Sequence, residues 1–365
     1  MVRASCVLWL AAVSGFAQTN PNVILRQEFQ KDTDGWSALG TDAEVRAEAP
    51  AAGAPEGSGK LVFSYELTKD KHSGAVIRAP EGFAHAQRIR FRIRSDRATP
   101  MGLLLSEKKP GGGNYVAWFW LPAGDWQQVD LTPADFTATD GPGDPVDSDG
   151  KLDLDAVEGI GLFDLEQFFG ELPAAPLPVV VSDLSGKRTV EIEEFEILSS
   201  GEPAPAAKVA SLAAFDRDFL DWVTLGGMNL KLSEKDNPLG ESALEADYQP
   251  VDGRMEVLLR RVSGPALAKT TRLQFDIASE RETTLVVSLE MKKPGGGQGP
   301  RFTLPIYPPG NKEVFHVDVK LADFDGQGRF DPAQWRSLAI VDVTAMGGGD
   351  TGANRLWIGN VRAVQ

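Results

Sequence analysis

The sequence predicts an all-β protein built as two tandem β-sandwiches, and three observations carry that prediction. The first is an internal repeat. Sliding the chain by 184 positions lays residues 91–113 onto 275–297 without a gap, with twelve of the 23 positions identical. The identities include Phe91/Phe275, Ile93/Ile277, Ser95/Ser279, Arg97/Arg281 and Leu105/Leu289, and each copy ends in Lys-Lys-Pro-Gly-Gly-Gly. A repeat at this period defines the folding unit. The second is alternation. Ile89, Phe91 and Ile93 face one way and Arg88, Arg90, Arg92 and Arg94 the other; Leu273, Phe275 and Ile277 repeat the apolar half opposite Arg272, Gln274 and Asp276. The third is punctuation: short alternating runs are separated by Gly, Pro and Asp, which reads as antiparallel strands and turns. Each unit is expected to hold about eight strands in two packed sheets.

Taken in order, the chain of 365 residues suits two domains. Residues 1–17 read as a secretory signal, with Arg3 as the positive start, an apolar run over 6–13 and Gly15-Phe16-Ala17 as the cleavage site. The run is too short to span a bilayer. Cys6, the one cysteine, lies inside this segment, so the mature chain is expected to carry no disulfide and no thiol chemistry. The expected location is secreted, periplasmic or on the cell surface. The first sandwich is expected over 18–198. It opens with Phe29 and Asp34-Gly35-Trp36, continues through Gly57, Leu61 and Tyr65, and closes on Ile192-Glu193-Glu194-Phe195. A Pro/Ala-rich linker follows at 199–208, with nothing in it to bury. The second sandwich, 209–365, answers with Phe215 and Asp221-Trp222, then Gly240, Leu244 and Tyr248, and the closing strand Ile358-Gly359-Asn360-Val361. Val129-Asp130 with Ala134-Asp135-Phe136 pairs with Val317-Asp318 and Ala322-Asp323-Phe324.

The order of these motifs, with Arg90-Phe91-Arg92-Ile93, the Gly-rich hairpin and Asp125-Trp126-Gln127-Gln128-Val129-Asp130-Leu131, resembles galactose-binding-like jelly rolls. It is similar to family 11 carbohydrate-binding modules and the complex I intermediate-associated protein family. The resemblance implies a jelly-roll topology for both copies and points to polysaccharide or oligosaccharide as partner. Its motifs are core and turn positions, so they speak for fold before ligand. Relatives end on an Ile-Asp-Asn-Ile-like strand near a structural calcium; here Glu193 and Gly359 stand at the Asp position, against that site.

Net charge is −15, from 37 Lys+Arg against 52 Asp+Glu. Such a surface repels phosphate backbones and anionic lipids, so neither nucleic acid nor membrane insertion is expected. The Gly-rich repeat is not a phosphate cradle, because Asn114 and Gln298 rather than Lys-Ser/Thr follow its glycines. More informative is Asn114-Tyr115-Val116-Ala117-Trp118-Phe119-Trp120-Leu121, apolar on both faces. Shortening the second Gly-rich loop by one residue aligns 118–122 with 301–305. Phe119/Phe302 and Leu121/Leu304 then take core positions, and Trp118 and Trp120 fall opposite Arg301 and Thr303, which point out. Leu104, opposite Ser288, joins them. An outward stripe of Leu104, Val116, Trp118 and Trp120 is therefore expected on copy one, and such a patch marks an interaction surface. Indoles stack on pyranose rings, and Arg92, Arg94 and Arg301 are candidate hydrogen-bonding partners for a sugar. The other reading is that the partner domain, a loop or a second chain covers the stripe.

The Arg88–Arg94 ladder suits an anionic glycan, or a solvated face paired with Asp and Glu. Residues 140–153 fail the helix–loop–helix calcium pattern, since Pro145 and Ala156 fall where Asp and Glu are required. An irregular calcium site on Asp147, Asp149 and Asp153 stays open; no other cofactor is expected. His72, His85 and His316 are scattered, and no zinc spacing or nucleophile set appears. The reading is an exported, non-catalytic polysaccharide-binding protein using an aromatic platform. Two alternatives stand beside it: a structural or assembly protein whose stripe docks a protein or the partner domain, and a glycan-active enzyme with unrecognised carboxylates.

Overall fold

The computed structural model describes residues 22–50, 59–68, 71–108, 110–139, 143–147, 149–169, 185–199, 210–212, 215, 217–262, 265–293 and 299–365. The expected signal segment, residues 200–208 of the expected linker, Gly57 and the second Gly-rich loop at 294–298 lie outside them.

Copy one contains β1 (Val23–Gln27), β2 (Ser37–Leu39), β3 (Ala43–Glu48), β4 (Lys60–Leu67), β5 (Gly74–Arg78) and β6 (Arg88–Ser95). It continues with β7 (Thr99–Glu107), β8 (Asn114–Leu121), β9 (Gln127–Leu131), β10 (Thr137–Ala138), β11 (Val157–Asp164) and β12 (Gly186–Leu198). Copy two contains β13 (Ala210–Ser211), β14 (Val223–Thr224), β15 (Met228–Ser233), β16 (Ala243–Tyr248), β17 (Glu256–Arg261) and β18 (Arg272–Ser279). Its remaining strands are β19 (Leu285–Met291), β20 (Arg301–Ile306), β21 (Phe315–Lys320), β22 (Asp325–Gly326), β23 (Trp335–Asp342) and β24 (Asn354–Val364).

These strands form two jelly-roll sandwiches of the same topology. Sheet 1a runs β3-β4-β12-β6-β9 with β1 on β12, and sheet 1b runs β10-β8-β7-β11-β5-β2. Sheet 2a runs β15-β16-β24-β18-β21 with β13 on β24, and sheet 2b runs β14-β17-β23-β19-β20-β22. Every strand of one copy has a counterpart in the other, so the duplication seen in the sequence extends to the whole pairing order. The long closing strand is bulged at the same place in each copy, where Glu194 and Asn360 both take φ 52°. A bulge leaves a residue unpaired and turns the strand.

The cores follow the alternation. Leu61, Phe63, Phe91, Ile93, Leu103, Leu105 and Phe119 fill the first, and Leu244, Phe275, Ile277, Val287, Leu289 and Phe302 the second. Among the described residues, no helix is long and apolar enough to cross a membrane.

Pairing corrects one register. Leu105 faces Tyr115 and Met101 faces Phe119 in copy one, whereas Leu289 faces Phe302 and Leu285 faces Ile306 in copy two. The second hairpin is thus longer than the first, not shorter by one. The structural counterparts of Val116, Trp118 and Trp120 are Thr303, Pro305 and Tyr307; Arg301 corresponds to Asn114. The discrepancy is four residues. Because four is even, it leaves every side chain on its predicted face.

Candidate functional site

The stripe points out of sheet 1b, as the alternation requires, but Trp120 does not meet solvent. It is 3% exposed and lies in the core of the second sandwich, beside Leu220 and Leu230. Its backbone N–H donates to the Leu220 carbonyl at 2.9 Å and its indole Nε1 to the Leu230 carbonyl at 2.9 Å. Phe219 makes the reverse crossing, 4% exposed in the core of the first sandwich. Each copy therefore lends the other an aromatic side chain. Two polar clamps flank this exchange. Arg217 pairs with Asp135 at 2.7 Å, and Arg261 donates to Thr137 Oγ1 at 3.1 Å and to the Ala138 carbonyl at 2.5 Å. Burial of Trp120 corrects its expected role as an open platform: the partner domain supplies the apolar cover that a large exposed indole favours.

Trp118 is half-buried, with the Arg261 guanidinium 5.4 Å from its ring centre. It lines a cleft of about 230 Å³ between the copies together with Phe219, Asp221 and Arg260. Leu104 is half-buried opposite Val116.

Arg92 and Arg94 are elsewhere. Their strand, β6, belongs to sheet 1a, so they lie on the opposite outer face of the first sandwich and share no surface with Trp118. Each is already paired: Arg92 with Glu193 at 2.9 Å, Arg94 with Glu191 at 2.6 Å, and Arg90 with Asp130 at 3.0 Å. Burial raises the Glu193 carboxyl above its usual range in spite of the Arg92 charge. The half-buried indole of Trp126 lies under both guanidiniums, 5.3 Å from Arg92 and 4.8 Å from Arg94. This self-neutralised face does not offer the free guanidiniums that an anionic glycan would bind.

Asp147, Asp149 and Asp153 do not gather round an ion. Asp147 accepts from the Tyr115 hydroxyl and, at 3.3 Å, from the Asp149 backbone. Asp149 accepts from the Lys151 N–H at 3.0 Å, and the Asp153 N–H donates to Glu107 at 2.6 Å. Among the described residues, no three acidic, histidine or cysteine side chains form a metal-holding group. Carboxylates that cap a turn have their lone pairs directed at backbone N–H groups.

What the sequence reading missed is the counterpart face on copy two. Outward residues of sheet 2b align in rows across strands: Pro305 beside Val286, Val341 and Val257; Thr303 beside Ser288, Ala339 and Leu259; Arg301 beside Glu290, Ser337 and Arg261. The first row is an aliphatic bed, the second supplies hydroxyls, and the third is charged, with Arg301 on Glu290 at 3.4 Å. Beyond the bed stands Tyr307, the counterpart of Trp120, 63% exposed. Thr284, opposite Tyr307 when the β19–β20 register is continued, lines an open hollow of about 390 Å³ with Met255, Val343 and Met346. At the other end Arg261 leads into the Trp118 cleft. With strands about 4.8 Å apart and about 3.3 Å per residue, Tyr307 and Arg261 mark the ends of a surface roughly 25 Å long. Tyr307 was legible in principle: alternation from Phe302 and Leu304 sends 305 and 307 outward.

No protein-family model and no curated protein matches the chain. Solved structures do. The family 11 carbohydrate-binding module of a cellulosomal cellulase from Clostridium thermocellum aligns at 14% identity, covering 43% of this chain and 94% of its own, with TM-score 0.36. A family 11 module from the same organism, in complex with a β-1,3-1,4-mixed-linked tetrasaccharide, aligns at 20% identity over 46% of this chain and 91% of its own, with TM-score 0.34. A tandem pair of family 22 modules from Paenibacillus barcinonensis aligns at 12% identity over 94% of this chain and 97% of its own, with TM-score 0.33.

Proposed function

We propose that the protein is a non-catalytic glycan-binding protein and that sheet 2b of the second sandwich is its binding face. The observation that carries this reading is Tyr307. It is a large aromatic ring at the position copy one uses to bury Trp120, yet it stands in solvent at the end of a row of aliphatic side chains. A polyhydroxylated chain has apolar C–H faces and polar edges. It matches a surface with a ring, an aliphatic bed, the Thr303 and Ser288 hydroxyls and an Arg301–Glu290 pair. Trp118 and Arg261 extend the same surface at the far end. Stacking adds about 0.5–1.5 kcal/mol beyond area burial, so binding is weak per sugar and depends on several sugars lying along the face. Trp120 serves the duplication rather than the ligand, by locking the copies together.

Affinity electrophoresis through gels cast with neutral polysaccharides tests this. The wild-type chain is expected to be retarded on at least one β-linked glucan or xylan, and Tyr307→Ala to lose at least about threefold of that retardation. Retardation unchanged in Tyr307→Ala, or reducing sugar released from the gel polysaccharide, would sink the reading.

A further inference from the structure

The duplication also exposes a difference inside the sandwiches. At one end of the first, Tyr65 donates its hydroxyl to Asp164 at 2.7 Å, and Asp164 accepts the N–H of Glu166 at 2.9 Å. Arg188 sits opposite Tyr65 in the register and holds both acids, at 3.0 Å to Asp164 and 2.7 Å to Glu166. In the second sandwich Tyr248 again donates to Asp342, and Asp342 accepts the N–H of Thr344 at 2.8 Å. The place of Arg188, opposite Tyr248, is taken by neutral Asn354. A second carboxylate is still present, but it comes from another strand: Glu256 faces Asp342 across β17 and β23, where copy one has Ser73. Copy two has thus kept two buried acids and removed their cation.

Glu256 is 1% exposed, and among the described residues neither of its carboxylate oxygens has a hydrogen-bond partner. It presses against Gly227, φ 77°, where any Cβ would stand 2.3 Å from one of those oxygens. An ionised carboxylate buried without a partner is too costly to keep. Asn354 offers it nothing, because its two amide hydrogens go to the Tyr248 hydroxyl at 3.0 Å and the Thr283 hydroxyl at 3.4 Å, and its carbonyl oxygen accepts from Ser279 at 3.2 Å.

We propose that Glu256 and Asp342 hold a hard metal cation in the place that the Arg188 guanidinium fills in the first sandwich. The donors are all oxygen: the two carboxylates, with the Tyr248 hydroxyl on Asp342 and the backbone at Gly227 against Glu256. That set suits Ca²⁺ and disfavours softer ions that need nitrogen or sulfur. The ion neutralises the pair and ties β17 to β23 at the mouth of the second core.

Calcium is the probe. Thermal unfolding of the full chain is followed in EDTA and in graded CaCl₂, beside Glu256→Gln and Asn354→Arg; the second variant rebuilds the copy-one arrangement. The wild-type midpoint is expected to rise by about 3–6 °C at a tenfold excess over Kd, and equilibrium dialysis to find one ion per chain. Both variants are expected to lose the shift and the bound ion. A wild-type midpoint indifferent to Ca²⁺, Mg²⁺ and Na⁺ would overturn the proposal and leave Glu256 as a protonated acid. So would a Glu256→Gln chain that still gains the full shift, since the ion would then sit elsewhere.

Discussion

Replacing Trp120 by Ala removes one side chain from copy one, yet its largest effect is predicted in copy two. The indole is 3% exposed and packs with Leu220 and Leu230 in the second core. A tryptophan buries roughly 150–250 Å², which at about 25 cal/mol per Å² is about 4–6 kcal/mol as an upper bound. Measured Trp→Ala losses of about 3–5 kcal/mol agree with that bound. The lost hydrogen bond to the Leu230 carbonyl, 2.9 Å in the native chain, adds about 1 kcal/mol. The expected cost is therefore about 3–5 kcal/mol after relaxation, and most of it falls on the coupling between sandwiches. Urea unfolding followed by both tryptophan fluorescence and far-ultraviolet circular dichroism reads this directly. The wild-type curves are expected to coincide. In Trp120→Ala they separate into two transitions, with the second sandwich melting first. A variant that loses under about 1 kcal/mol and keeps coincident curves would refute the idea that this side chain couples the copies.

Other outcomes follow from the same geometry. Arg188→Ala leaves Asp164 and Glu166 buried without their cation and is expected to cost about 3–5 kcal/mol, measured as a lower urea midpoint. Arg188→Ala combined with Asp164→Asn is expected to recover part of that loss. Arg92→Ala on sheet 1a breaks a half-exposed pair with Glu193 and a contact with the Trp126 ring; polysaccharide retardation is expected to stay within error of wild type, and a loss would move the binding face to that sheet. Glu245 gives a pH signature. Burial raises its carboxyl, but the Lys231 ammonium and the Trp357 indole more than offset this, so it stays below the usual range. A depressed carboxyl contributes stability above its unfolded pKa and loses it as pH falls through the folded one. Glu245→Gln is therefore expected to lower the midpoint of thermal unfolding at neutral pH and to converge with wild type in strong acid. Equal differences at both ends of the range would contradict this.

The fold was readable because period-two alternation and a long internal repeat survive small errors. The register between β8 and β20 was misplaced by four residues, yet Trp118 and Trp120 still pointed outward, since only an odd slip reverses a strand's faces. The same error hid Tyr307 by setting Thr303 against Trp120. Burial of Trp120 could not be read from its own strand, because its cover comes from Leu220 and Leu230 in the other copy, about a hundred residues on. Nor does alternation say which sheet a strand joins, and Arg92 and Arg94 went to the sheet without the tryptophans. Glu256 is one of 52 acidic residues; only the pairing of β17 with β23 shows that it faces Asp342.

Hydroxyl-radical footprinting with and without a retarding polysaccharide tests the central claim most directly, since it reports which rings the ligand covers. Tyr307, 63% exposed, is expected to be oxidised readily in the free protein and strongly protected at saturation, with Met346 beside it. Trp126, under Arg94 of sheet 1a, is expected to keep its reactivity. Protection of Trp126 with Tyr307 unchanged would contradict the account.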